Sequence, residues 1–381
     1  MTVTFFQAAG LFILLIYSLL ILAFFKGWRK LPVYELRKHT LPAYMSIVVP
    51  VRNEAINIIK LLYALKRQNY DQRCFRVIIV DDHSSDSTRE HIKIFRGKHP
   101  QMNIILKWLP DGKTSKKQAL KAGVAQAKGD ALIFMDADGL PGPDYLRIMN
   151  EYYRKDRPAM LLGPIAVHGG SNLFDRLQAL EFLSLIFSTA GAAGMQKPIM
   201  ANGASLLMDM QVLQEYHNDD PFKDDLASGD DMFLLHHVKK YLGSKRISFV
   251  RHPGAIIKTC GAITPAAFRE QRKRWVSKST AYRDPFLIFV AITVWLMAVV
   301  QATSLGAGAI NPNLLYYTAI IWGVKIIVDI VALLPVTRFT GQKNLRKYIL
   351  LLTLMHPFYI LFTSFSGWLF PYRWKGRKHK R

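Results

Sequence analysis

From residue 4 to residue 25 the chain carries no charged side chain. About 20 consecutive apolar residues let a helix cross the hydrocarbon core of a bilayer, so this run is expected to span one. A cleavable signal peptide is the rival reading, but the run has no basic leader before it and no small-residue cleavage site after it. Lys26, Arg29 and Lys30 follow directly, and the positive-inside rule then places the next part of the chain in the cytoplasm. Residues 286–302 or beyond, 314–336 and 348–370 are apolar again, with Asn311-Pro312-Asn313 as the tight connection between the first two of these runs. Lys325 and Asp329 stand one helical turn apart inside the second run, where an ion pair lets both sit in lipid. One spanning helix before the middle and three after it would strand the basic tail outside, against the positive-inside rule. His356-Pro357 is therefore expected to break the last run into a re-entrant or interfacial element.

The position of the charge supports the same picture. The chain has 381 residues, half of them hydrophobic, and a formal net charge of +24. Lys and Arg gather beside the apolar runs, at residues 26–30, 269–274, 338–347 and 373–381. That pattern suits the anionic lipids of a cytoplasmic membrane face, not nucleic acid. Two cysteines, Cys74 and Cys260, are too few for a disulfide scaffold and lack metal-ligand spacing, which fits a reducing compartment. The expectation is a multi-pass protein of a bacterial-type inner (cytoplasmic) membrane. Its parts are a first helix at 1–30, a cytoplasmic domain at 45–280, a membrane region at 284–372 and a tail at 373–381.

Between the apolar ends the periodicity changes. Residues 46–49 form a short β-branched run closed by Pro50, and 54–68 carry Ile58, Leu61, Leu62 and Leu65 at helical spacing. Residues 77–80 read as a second strand ending in Asp81-Asp82. Residues 84–96 read as a helix capped by Ser84 or Asp86. A third strand (104–109), a helix (114–127) and a fourth strand (131–135) follow. This alternation predicts an α/β fold with a doubly wound, mainly parallel sheet. Polar residues gather after the strands, where such sheets bind ligands. In residues 172–197, Leu173, Leu177, Leu180, Leu183 and Phe187 form an apolar stripe. It reads equally as an amphipathic helix at the membrane surface or acceptor entrance and as core packing.

The fourth strand runs straight into Asp136-Ala137-Asp138. Two carboxylates one residue apart can share a hard divalent cation that in turn holds phosphate oxygens, or can merely cap the turn before Pro141. No G-x-G-x-x-G follows the first strand, which argues against a dinucleotide site. The ordered set says more than any one member. It comprises Val49-Pro50-Val51-Arg52-Asn53-Glu54, the stretch from Asp81 to Thr88, Asp136-Ala137-Asp138, Ala201-Asn202-Gly203-Ala204-Ser205, Ser228-Gly229-Asp230-Asp231 and Gln271-Arg272-Lys273-Arg274-Trp275.

With these motifs in this order, the stretch from about Met45 to Ser279 resembles the family 2 glycosyltransferases of GT-A fold. The last motif resembles the Q-x-x-R-W of their membrane branch, which includes ceramide glucosyltransferases and the cellulose and hyaluronan synthases. The resemblance implies inverting transfer from a UDP-sugar to a lipid or lipid-linked hydroxyl. It implies Asp231 as the base, with Asp230 as the neighbour that could exchange roles with it. It implies Asp138 and Asp136 as ligands of Mg²⁺ or Mn²⁺, with Asp136 near the ribose. Asp82 would read the uracil, and Pro50, Arg52 and Glu54 would line the first nucleotide-contacting loop. Lys113 and Lys116 would serve base or phosphate, although Ser115-Lys116-Lys117-Gln118-Ala119-Leu120-Lys121 departs from the family's G-K-x-x-A-L-N, so a solvated helix start stands beside that role. Gln271 and Arg274 would hold the diphosphate, and Trp275 would floor the acceptor site or anchor at the interface. Asn202, Gly203 and Ala204 would line the sugar or acceptor pocket.

Three other readings compete with this one. Phe134-Met135-Asp136-Ala137-Asp138-Gly139 also resembles the nucleophile loop of haloacid-dehalogenase-type phosphatases, but Leu140 and Pro141 follow it and three βα units precede it. A membrane scaffold with a degenerate domain is disfavoured because each acidic motif position keeps its carboxylate. A processive polysaccharide synthase needs a channel, and the membrane segments are few for one chain to build it.

Overall fold

The structure, a computed structural model, describes residues 2–36, 40–168, 170–215, 230–374 and 377–379. In chain order the elements begin with α1 (Thr2–Lys30), β1 (Met45–Val51), α2 (Ala55–Lys66), β2 (Phe75–Asp81), α3 (Thr88–Lys98), β3 (Ile104–Trp108), α4 (Lys116–Val124) and β4 (Ala131–Phe134). Next come α5 (Tyr145–Asp156), β5 (Met160–Leu162), β6 (Ile165–His168), α6 (Leu173–Gly194), β7 (Leu206–Asp209), α7 (Met210–Glu215), α8 (Asp230–Leu242), β8 (Ile247–Phe249) and β9 (Ile257–Cys260). The chain ends with α9 (Pro265–Val276), α10 (Pro285–Ile310), α11 (Leu315–Phe339), α12 (Ile349–Leu369) and the strands β10 (Tyr372–Trp374) and β11 (Arg377–His379). It divides into two compact units, a sheet unit of residues 31–168 and 200–260 and a helical unit of residues 1–30, 169–199 and 261–381.

The sheet unit holds a seven-stranded sheet in the order β3-β2-β1-β4-β7-β5-β8. Its first four strands are parallel, and β7 alone runs against its neighbours β4 and β5. Ile47, Val48, Val49, Ile78, Ile79, Leu132 and Ile133 are fully buried. Each such side chain contributes about 1.5–3 kcal/mol by leaving water. Pro50 lies inside β1, opposite Val80 of β2. It is tolerated there because β4 pairs only with Met45–Val48, so on that side no ladder bond needs its missing N–H.

The reversed direction of β7 brings two loops together. It pairs antiparallel with β4, with Leu206 opposite Phe134. The chain entering β7 therefore lies beside the chain leaving β4, and residues 201–205 meet residues 135–138. A second, two-stranded parallel sheet of β6 and β9 closes on the same loop through a bridge between Leu140 and Lys258.

Helix α3 starts later than the periodicity suggests. The Asp86 carboxylate takes the Thr88 N–H (3.0 Å) and the Ala55 N–H (3.2 Å), and Ser84 pairs with the Asn53 N–H (3.0 Å). Residues 84–86 are thus drawn into a loop, and Ser87 takes the cap position. Helix α4 is likewise shorter than expected. Its cap is Ser115, whose side chain accepts the Gln118 N–H.

In the helical unit, five helices of the described residues are long and apolar enough to cross a membrane: α1, α6 and the three that include α10, α11 and α12. The expected break at Pro357 is not there, since α12 runs unbroken from Ile349 to Leu369. The proline is buried, and α12 packs on α9, α10 and α11, so packing offsets the backbone bond that the proline removes. Lys325 and Asp329 do pair, at 2.5 Å, and Asp329 also accepts from Tyr17 of α1 (2.7 Å) and Thr353 of α12 (3.0 Å). Buried residues run right round α6, so it is a core helix of this unit and not a one-sided surface helix.

Candidate active site

The ends of β1 and β2 are stitched into one wall. Asn53 and His83 both adopt left-handed backbone, with φ of 54° and 55°. For residues other than glycine this conformation needs support from neighbours. The Asn53 side chain supplies it by accepting the Ser85 N–H at 2.8 Å. Glu54 N–H donates to Thr88 Oγ1 at 2.8 Å. Of the two adjacent aspartates, Asp81 is fully buried and ion-paired with Arg89 Nε at 2.6 Å. Asp82, also buried, faces Arg52 Nη1 (3.5 Å) and His83 Nδ1 (3.3 Å). Arg52 further donates to the Asp82 carbonyl at 2.9 Å. Its guanidinium therefore braces the Asp82 loop.

The end of β4 carries the second group. Asp138 accepts from Thr259 Oγ1 at 2.8 Å, a contact that β9 supplies. Burial raises the Asp138 pKa above the usual carboxylate range, the adjacent Asp136 and then Glu54 push it further up, and Thr259 and Lys116 pull against them. Asp136 is paired with Lys116 Nζ at 2.5 Å. Lys116 thus stands beside the Asp136 carboxylate. Lys113 is exposed in the loop before α4 and has no side-chain partner among the described residues.

Among the described residues no group of three or more His, Cys, Asp or Glu side chains has the layout of a metal cage. Mg²⁺ and Mn²⁺ do not need one beside a diphosphate: one or two carboxylates suffice when substrate oxygens and water complete the shell. Asp136 and Asp138, side by side and partly desolvated, present that donor set.

The third group sits at the start of α8. Asp231 Oδ2 accepts the Gly203 N–H at 3.1 Å, and its Oδ1 accepts the Met232 N–H at 2.9 Å. Asn202 closes the same turn by accepting the Ala204 N–H at 3.0 Å. Asp230 is buried, with Lys117 Nζ at 4.0 Å. The two acids are thus differentiated: Asp230 faces a buried lysine, and Asp231 is partly exposed on the pocket turn. Ser228 and Gly229 of this motif lie outside the described residues. Consecutive lysines of α4 link the two acid pairs, Lys116 to Asp136 and Lys117 to Asp230. Acids far apart in sequence are in this way brought to one helix start. Sequence reasoning gave Lys117 no role of its own within the quoted motif and missed Thr259, whose neighbourhood does not mark it.

Gln271, Arg274 and Trp275 stand on α9 in the helical unit. One face of Trp275 is covered by the Arg272 guanidinium, 4.0 Å from the ring centroid. Phe182 of α6 approaches the same indole at 6.5 Å. Trp275 thus has at most one face left for a sugar.

Known proteins resemble this chain in sequence and in fold. Residues 46–216 match the protein family described as Glycosyl transferase family 2. Glycosyltransferase AglE of Haloferax volcanii is 34% identical over 107 residues, 28% of this chain and 34% of its own length. A Methanococcus voltae enzyme, named as a dolichyl N-acetyl-alpha-D-glucosaminyl phosphate diacetamido-dideoxy-glucuronosyltransferase, is 28% identical over 207 residues, 52% of this chain and 62% of its own. A dolichyl-phosphate beta-glucosyltransferase of Dictyostelium discoideum is 33% identical over 102 residues, 25% of this chain and 31% of its own. The chain spans less than two thirds of each of these relatives. Among solved structures, a mannosyltransferase from Pyrobaculum calidifontis in complex with GDP-Man and Mn²⁺ shares the fold. Its TM-score is 0.58 at 17% identity, over 93% of this chain and 99% of that one. Residues 46–216 therefore match a glycosyl transferase family 2 domain, and the fold is of the GT-A kind.

Proposed function

We propose that this chain is an inverting glycosyltransferase that moves a sugar from a UDP-sugar to the hydroxyl of a lipid or lipid-linked acceptor at the cytoplasmic face of a membrane. The observation that carries this reading is the joining of Asp136–Asp138 and Asp230–Asp231 through Lys116 and Lys117. Inverting transfer is one in-line displacement. It needs a base on the acceptor side and positive charge on the leaving side, close together. Asp231 takes the proton of the acceptor hydroxyl as that oxygen bonds to the anomeric carbon. The bond from the anomeric carbon to the diphosphate breaks, and the electron pair leaves with UDP. Asp138 and Asp136 are the residues that would hold a divalent cation, which would supply charge to offset the leaving diphosphate. The backbone N–H groups of Gly203 and Met232 aim the Asp231 carboxylate. The buried Asp82 at the end of β2 is suited to read the N–H edge of uracil.

The acceptor assignment rests on two supports. The relatives from Methanococcus voltae and Dictyostelium discoideum are named for dolichyl-linked substrates, and this chain carries helices long enough to sit in the same membrane as such a lipid. The test is a donor screen on purified protein with membrane lipid extract, read by product mass. One added sugar per lipid supports the proposal, and a ladder of lengths replaces it with processive synthesis. Turnover with GDP-sugars alone would correct the nucleotide but keep the reaction. Asp231→Asn is expected to retain UDP binding and lose transfer by at least about a hundredfold, the lower range for a lost general base. Retained turnover would remove Asp231 from that role.

A further inference from the structure

We infer that Thr259 is a positioning residue that leaves Asp138 a single oxygen for a divalent cation, and so favours a small octahedral ion over Ca²⁺. The inference rests on the proposed cation role of Asp138, and it gives the second, two-stranded sheet a task in the reaction. Strand β9 is set against the loop after β4 by backbone bonds, not by its side chains. Leu140 N–H donates to the Lys258 carbonyl at 2.8 Å, and Lys258 N–H donates back to the Leu140 carbonyl at 3.0 Å. The loop is turned by Gly139, whose N–H donates to the Asp136 carbonyl at 3.0 Å. A Cβ on Gly139 would stand 3.0 Å from the Ile257 side chain, so loop and strand are in close contact. Side chains alternate along a strand, and Lys258 is exposed, so Thr259 turns the other way. Its Oγ1 donates to Asp138 Oδ2 at 2.8 Å. A β-branched side chain on a strand pinned on both sides has little freedom to release that bond.

The consequence is for coordination. A carboxylate binds a cation through one oxygen or chelates it through both. A hydroxyl hydrogen on Oδ2 competes with a cation for that oxygen, so Oδ1 becomes the better ligand. The same bond fixes the rotation of the carboxylate and with it the direction of Oδ1, as outer partners of metal ligands do. Mg²⁺ and Mn²⁺ suit octahedral oxygen shells built from single oxygens of one or two carboxylates, water and phosphate. Ca²⁺ takes about six to eight oxygens and gains most from a carboxylate that gives both. A Thr259 hydroxyl on Asp138 therefore costs Ca²⁺ a ligand and costs the smaller ions nothing.

The experiment measures cation binding, not turnover, on the full-length protein in detergent with the nucleoside diphosphate that the donor screen identifies. Bound Mn²⁺ is read from the loss of the free-ion electron paramagnetic resonance signal, and Ca²⁺ from its competition with Mn²⁺. Thr259→Val keeps the branched shape and removes the hydroxyl, and Thr259→Ser keeps the hydroxyl. Thr259→Val is expected to weaken Mn²⁺ about tenfold, the lower range for a lost outer partner of a metal ligand, and to leave Ca²⁺ as tight or tighter. The preference for Mn²⁺ over Ca²⁺ thus falls by the same factor, and Thr259→Ser is expected to keep it. Equal weakening of both ions by Thr259→Val would make the hydroxyl a plain ligand or a prop and overturn the inference alone. So would an unchanged affinity for both, or a Thr259→Ser variant that loses the preference as Thr259→Val does. Asp138→Asn with undiminished Mn²⁺ binding would instead remove the cation role itself. Where Thr259→Val yields no folded protein, Thr259→Ala takes its place, with the same expected fall in preference and the same results against it.

Discussion

Asp138 shows how one residue can be costly to the fold and useful to the chemistry. Burial and the neighbouring Asp136 raise its pKa. The native chain without a cation therefore holds this proton to higher pH than the unfolded chain does. Linkage gives the sign: stability from this group is fully present below the unfolded pKa and is lost as pH rises through the raised native value. Asp138→Asn is accordingly expected to raise the thermal midpoint in chelator near neutral pH and to flatten its decline with pH. The same change is expected to remove any metal-dependent part of nucleotide binding. A cation must displace the proton, so the stabilisation that Mn²⁺ confers on the unsubstituted protein should shrink as pH falls through the raised value. Thermal melts over a pH series, with and without Mn²⁺, check both signs. A lower midpoint for Asp138→Asn in chelator would mean that Thr259 and Lys116 outweigh burial. Asp138 and Asp231 were legible in sequence because each belongs to a local pattern. Thr259, which steadies Asp138 from 121 positions away, was not: its significance lies in its partner.

At the scale of elements, the strands and helices from β1 to β4 could be read because their apolar periods are local and their ends carry turn residues. Where a distant contact decided the outcome, sequence did worse. Asp86 and Ser84 looked like helix caps and instead bind the neighbouring loop, so α3 begins at Thr88. Pro357 looked like a break, and packing keeps α12 whole. Helix α6 left two readings open because the surface that it buries belongs to α1. Gly27, Gly191 and Gly194 meet where α1 and α6 touch backbone to backbone, and a Cβ on Gly191 would stand 2.5 Å from the Phe24 carbonyl oxygen. Small residues at such crossings are what permits the approach. Gly191→Ala is expected to destabilise by about 1–3 kcal/mol, the usual cost of overpacking. Gly97→Ala on α3, which meets nothing within 4 Å, is expected to be neutral or mildly stabilising. Thermal midpoints and extracted yield measure both. Equal midpoints for the two variants would mean that the crossing is loose.

For the whole molecule, length and hydropathy pass five helices, and chain connectivity lowers the number expected to cross. Helix α6 leaves β6 and returns to β7, and β7 is hydrogen-bonded to β4. A crossing there would put bonded strands on opposite faces of the bilayer, so α6 stays on one side. Helices α1 and α11 end together, with Trp28 on Phe339 at 5.3 Å, and α10 begins at the same end, with Phe286 at 6.4 Å from Phe24. Phe187 of α6 also meets Trp28, at 6.1 Å. Helix α12 begins at that end too, since Arg346 just before it bonds Thr337 near the end of α11. A helix of this length that crossed would finish about 30 Å away. Instead Tyr359 reaches Glu181 of α6, and Gly367 packs on Val276 of α9, the helix that Arg272 ties to Glu181. These contacts suggest that α12 turns back toward the basic ends of α1 and α11, near Lys26, Arg29, Lys30, Arg338 and Lys347, which the positive-inside rule predicts to be cytoplasmic. The expectation is therefore that α1, α10 and α11 cross and that the basic tail stays on that same basic side. Single cysteines placed at Gly341 and Lys380 in a Cys74→Ser, Cys260→Ser background should resist a membrane-impermeant maleimide in intact cells and label after lysis. One at Asn313, between α10 and α11, should label without lysis. Labelling at Lys380 in intact cells would make α12 a true crossing and put the tail outside.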